Sequence, residues 1–150
     1  MTVTPGSKHP SARLAFAEVG TEPIDVPALT RCAADDAAGA VVTFCGVIRN
    51  HDAGQAVDGI DYTAHPKAAD VLRQVALEFT GRAGVRAVGI AHRVGALTIG
   101  DVALFAIVAA DHRREAIATT SDLVDEVKHR VPIWKHQHFS DGHSEWTGLP

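Results

Sequence analysis

The chain has 150 residues, 46% hydrophobic and 21% charged, which suits one globular domain that closes its own core. A formal charge of -4 with histidine neutral and an aromatic content of 5% argue against a phosphate-neutralising surface or base-stacking platform, and so against nucleic acid as partner. Cys32 and Cys45 lack CxxC spacing, which argues against a disulfide framework or zinc knuckle and fits a reducing cytoplasm.

Residues 1–11 are polar, carry Pro5 and Pro10, and read as a flexible tail rather than a signal peptide. No later stretch approaches the roughly 20 apolar residues of a membrane span. Residues 12–150 are then a single domain. Leu14 to Val19 alternates as a strand, residues 20–23 turn, and Asp25 is placed to cap a short helix with Pro27 in its first turn, ending near Ala34. Gly39 to Ile48 (GAVVTFCGVI) is β-branched and apolar on both alternating faces, which predicts a central strand buried on two sides. A polar loop, Arg49 to Gly54, leads to a strand from Val57 to Ala64. Pro66 opens a helix in which Ala68, Leu72, Val75 and Phe79 recur at helical spacing, closing around Gly81.

Val85 to Val94 and Asp101 to Ala110 predict two further strands, joined through residues 95–100. The longest helix spans Arg114 to Val131 with a stripe of Ile117, Thr120, Leu123, Val124, Val127 and Val131, and Pro132 ends it. Ile133 to Ser140 is then a strand, and Asp141-Gly142 turns into Ser144 to Thr147. Interleaved helices and hairpins favour an α+β fold with a mixed or antiparallel sheet and two main helices over a doubly wound fold.

Three places break local rules. Asp111 is a natural N-cap, which puts His112, Arg113 and Arg114 in the first helical turn, where cations are unfavourable. Either they build an anion site with free backbone N–H groups, or the arginines face solvent and pair with Glu115 or a neighbour; both readings stand. Arg49 ends the doubly apolar strand, a position suited to gripping phosphate or carboxylate, although taken alone a plain rim arginine is the commoner case. Lys128 and Lys135 flank Pro132. A cation at a helix C-terminus is stabilising in itself, so Lys128 has an ordinary explanation. Lys135, on a strand face shared with Ile133 and Phe139, has less of one. If the strand folds back beside the helix end, the two amines line one pocket and serve as acid, base or nucleophile.

His136 and His138 share a strand face and His143 lies near, but no cysteine joins them and Asp141 and Glu145 lie in or beyond a turn, so a metal is not favoured. No nucleophile elbow, Walker loop or GxGxxG is present.

Gly39-Ala-Val-Val-Thr-Phe44, Gly46-Val-Ile-Arg-Asn-His51, His112-Arg113, and Lys128 with Arg130-Val-Pro-Ile-Trp-Lys135 together resemble the large, catalytic subunit of molybdopterin synthase, the MoaE family, in order and spacing from about residue 12 onward. The resemblance implies an α/β-hammerhead-type fold and a sulfurtransferase of molybdenum cofactor biosynthesis. It implies a homodimer within a heterotetramer, with a small ubiquitin-like sulfur-carrier subunit at each end whose thiocarboxylated Gly-Gly tail enters a pocket. The implied substrate is cyclic pyranopterin monophosphate, which gains two sulfurs to become the molybdopterin dithiolene, with no bound cofactor or metal. Lys128 and Lys135 correspond to the catalytic lysines, and Arg49, His112 and Arg113 to substrate-binding residues. Departures are His136 and Gln137, where the family often carries a basic residue and an acid, and an end at Pro150 where many members continue. Two rivals remain: a paralogue that binds carrier or pterin without turnover, and a histidine-based metal-handling protein.

Overall fold

The computed structural model describes residues 12–148, so the expected tail at residues 1–11 lies outside the described residues. In chain order the elements are β1 (Arg13–Gly20), α1 (Val26–Cys32), β2 (Ala40–Val47), β3 (His51–Asp52), β4 (Gln55–Ala64), α2 (Ala68–Phe79), β5 (Val85–Arg93), β6 (Gly95–Thr98), β7 (Val102–Ala110), α3 (Arg113–Arg130), β8 (Ile133–Phe139) and β9 (Ser144–Thr147). No helix among the described residues is long and apolar enough to cross a membrane.

The main sheet has the order β1-β5-β7-β2, with β1 parallel to β5 and the other pairs antiparallel. Strand alternation splits its side chains between two cores. Val88, Ile90, Leu104, Ala106 and Val108 meet Leu72, Val75 and Phe79 of α2 and Leu123 and Val127 of α3. Ala87, Ala91, Phe105 and Ile107 point the other way, toward Phe16 of β1 and Leu29 of α1. Phe16 stacks parallel to Phe105 at 6.2 Å and presses on Gly89, where an added Cβ would sit 2.3 Å from its ring. Only glycine fits beneath that ring.

A second sheet runs β3-β4-β8-β9, with β6 also paired to β4. It has its own core of Ile48, Val57, Ile60, Leu97 and Phe139, which Ala103 of β7 joins. Within this sheet β3 and β4 are joined by a two-residue turn at Ala53 and Gly54, both at positive φ (49° and 78°), the backbone twist that a tight hairpin requires.

The mixed α+β architecture agrees with expectation, as do the Asp25 cap, which accepts from the Ala28 N–H at 3.1 Å, and the apolar face of α2. Four expectations need correction. β2 is an edge strand, not a central one: among the described residues β7 is its sole strand neighbour, and Val41 and Val47 are 53% and 51% exposed. The run is apolar on both faces, but this chain covers only one of them. Asp111 does not cap α3. The cap residue is His112, in extended backbone with no side-chain capping bond, because Asp111 still follows the strand, donating its N–H to the Gly84 carbonyl and accepting from Arg86 Nε at 2.6 Å. On α3, Ile117 is 58% exposed, while Ala116 and Thr119 are buried with Thr120, Leu123, Val124 and Val127. Small residues let the helix lie close on β7, and Ile117 sits one step of about 100° off that stripe. The segment joining β5 to β7, expected as a plain connection, contains β6.

Candidate active site

Where the two sheets meet the C-terminal end of α3, a cavity of about 590 Å³ opens, lined by residues from β2, β4, β5, β7, β8 and α3. Pro132 turns the chain out of α3 directly into β8, and its carbonyl accepts from the His65 N–H at 3.0 Å, which ties the reversal to the end of β4. Alternation along β8 then aims Ile133, Lys135 and Gln137 at the cavity. Register sets Tyr62 opposite Lys135 and Ile60 opposite Gln137, so β4 supplies the neighbouring wall. Lys128, one helical turn before that exit and exposed, faces the same space with Val127 and Val131. Arg49, which follows β2 and Ile48, completes the rim.

Arg49, Lys128 and Lys135 therefore share one cavity, against a single lining carboxylate among the described residues, Asp52. Arg49 Nη2 bonds Asp52 Oδ1 at 3.1 Å, and the Gln137 amide donates to Asp52 Oδ2 at 2.9 Å. The Gln137 bond first, then the Arg49 bond and charge and the charge of Lys135, hold this carboxyl below its usual value against a desolvation that raises it. An ionised Asp52 thus orients Arg49 at the rim while Gln137 orients Asp52.

The deeper wall is neutral. His92 Nδ1 lies 2.7 Å from the Arg93 carbonyl, so the uncharged ring donates there and keeps Nε2 as an acceptor. Burial pushes its pKa down, the Arg93 bond opposes this, and the charge of Lys128 adds to the lowering. The Tyr62 ring meets His92 edge-on at 5.0 Å, and burial pushes its phenol up. The arrangement is an electropositive rim over an aliphatic and neutral-aromatic floor, in a volume of small-molecule size.

His112 and Arg113 do not join this group within one chain. Both are exposed at the start of α3, whose 18 residues put them about 27 Å from its other end. The expected convergence of five cations is thus met by three. Sequence reasoning missed Asp52, Tyr62, His92 and Gln137. Alternation from Lys135 pointed to Gln137, and the loop of Arg49 held Asp52, whereas Tyr62 and His92 reach the cavity only through strand register.

The family model described as MoaE protein matches residues 19–130. A molybdopterin synthase catalytic subunit from Nostoc is 35% identical over 85% of this chain and 78% of its own length, and one from Staphylococcus carnosus is 35% identical over 87% of both. Among solved structures, molybdopterin synthase from Staphylococcus aureus superposes with a TM-score of 0.79 at 32% identity, covering 87% of this chain and 95% of the other. The MoaE protein from Burkholderia ambifaria gives 0.74 at 26%, over 89% and 88% of the two chains. Fold and cavity define an α+β protein with a cation-rimmed cavity. The chain belongs to the MoaE family, the molybdopterin synthase catalytic subunits.

Proposed function

We propose that this cavity is the sulfur-transfer site of a molybdopterin synthase working in the cytoplasm. It accepts cyclic pyranopterin monophosphate and the thiocarboxylated Gly-Gly tail of a small ubiquitin-like carrier subunit. The single observation that carries the reading is the placing of Lys128, Lys135 and Arg49 around one space. Both reactants are anions, and a preorganised cationic rim complements the phosphate, the thiocarboxylate and the charge that develops between them. In each transfer the thiocarboxylate sulfur forms a carbon–sulfur bond on the pterin side chain as a carbon–oxygen bond there breaks and its oxygen leaves with a proton; water then cleaves the acyl–sulfur bond, leaving the sulfur on the pterin and returning the carrier to its carboxylate. Lys128 moves protons or takes the released acyl group, and Lys135 stabilises the anionic intermediate and leaving group. Arg49, steered by Asp52, holds the phosphate.

His112 and Arg113 serve the same substrate from a second copy of the chain. β2 runs from the start of α3, where the Gly39 N–H bonds the Ala110 carbonyl at 2.9 Å, to the cavity rim at Val47 and Arg49. Among the described residues its outer edge has no strand neighbour, and its exposed valines are apolar, the kind of edge that proteins cover by pairing. Antiparallel pairing of two β2 strands about a twofold axis brings the α3 N-terminus of one copy beside the cavity of the other. The resulting homodimer leaves a carrier site at each end.

Purified chain incubated with thiocarboxylated carrier and the cyclic precursor should yield molybdopterin. Binding of both without product would instead support a non-catalytic paralogue.

A further inference from the structure

The cavity takes one face of β8; the opposite face carries His136 and His138. Register places Asp61 of β4 directly across from His136 and Gly59 across from His138, so the Asp61 carboxylate faces His136 and reaches His138 diagonally. His138 Nε2 and Asp61 Oδ2 lie 2.6 Å apart, the two imidazole centroids are 4.5 Å apart, and one donor atom from each of the three residues falls within 4.8 Å of the others. Trp146, opposite His136 on β9, stacks flat on that ring at 4.3 Å with 3° between planes. None of these side chains lines the cavity.

We propose that Asp61, His136 and His138 bind one divalent transition-metal ion of the zinc class, with a further coordination position left to water. Two imidazole nitrogens and one carboxylate oxygen are a borderline donor set that suits zinc and its neighbours, whereas magnesium and calcium demand oxygen. Histidines at i and i+2 on a strand necessarily share a face, which fixes two ligands without loop closure. The indole of Trp146 holds the His136 ring in place, the supporting role that outer groups play around metal ligands.

Bond lengths of about 2.0–2.2 Å separate tetrahedral ligand atoms by roughly 3.3–3.6 Å, so the His138–Asp61 contact of 2.6 Å must open by about one ångström at most. That is within side-chain adjustment. The proton on His138 Nε2 moves to Nδ1 or to solvent as the ion takes its place. Side-chain exposures of 44% for His138 and 46% for Asp61 leave the site open to an ion arriving from solution. An ion there clamps β4 to β8 directly behind Tyr62 and Lys135, stiffening the strand pair that forms the cavity wall. The local acids near the histidines serve elsewhere: Asp141 pairs with His143.

The test is calorimetric titration of zinc into untagged, metal-stripped protein with its two exposed cysteines alkylated. One ion per chain is expected, with cobalt substitution giving visible d–d absorption. Asp61→Asn and His138→Gln should each weaken uptake at least about tenfold, while His143→Ala leaves it unchanged. His138→Gln retains an amide able to donate to Asp61, and circular dichroism on each variant separates lost ligation from lost folding. Absence of saturable zinc uptake, or equal uptake in all folded variants, overturns the proposal.

Discussion

Lys128, in the last turn of α3, and Lys135, in β8, open onto the same cavity although Pro132 reverses the chain between them. The reversal makes a local sequence neighbourhood into a spatial one. Arg49 reaches the same rim from β2, and Asp52 and Gln137 fix its direction. If Arg49 holds the substrate phosphate, Arg49→Ala weakens binding of the cyclic precursor at least about tenfold, the loss of one charge-assisted contact. Calorimetry on the isolated chain measures this, and an unchanged isotherm removes Arg49 from the site.

The shared-site arrangement makes a separate prediction. Lys128→Ala and Arg113→Ala homodimers should each be poorly active. After mixing and subunit exchange, activity should return in part, because a mixed dimer holds one site with neither substitution. Mixtures no more active than the average of the two would place Arg113 outside the site. Val41→Lys should also hinder strand pairing and give monomers by sedimentation velocity.

His92 predicts a pH effect on stability. Burial lowers its folded pKa below the ordinary 6.5, so between those two values the unfolded chain holds a proton that the folded chain does not. Stability is then complete above about 6.5 and falls as pH drops through the window, by up to about 1.4 kcal/mol per pH unit. His92→Gln keeps a donor for the Arg93 carbonyl and should flatten this slope in urea titrations between pH 7 and pH 5. Parallel curves for the two proteins would show that His92 titrates normally.

Helix α2 was legible because its apolar residues repeat at the period of a helix over about three turns. The two lysines were legible because a proline between them forced the reversal. The exposed face of β2 was not, since a strand whose second face is left to another molecule has the same composition as one buried inside its own domain. Nor was the cap of α3: Arg86, 25 residues before Asp111 in the chain, takes the carboxylate that local chemistry assigns to the helix. Four-residue β6 is too short to show a period. Tyr62, His92 and Asp61 acquire their neighbours from pairings across tens of residues, which no local pattern encodes.

The most direct test of the account is turnover by Lys128→Ala with purified carrier thiocarboxylate and cyclic precursor. Lys128 is exposed at a helix end, so its removal should leave stability within about 0.5 kcal/mol of the parent chain. The account predicts a fall in product formation of about 100-fold or more, the scale of a lost proton-transfer group, with carrier still bound. Near-parental turnover in that folded variant would contradict it.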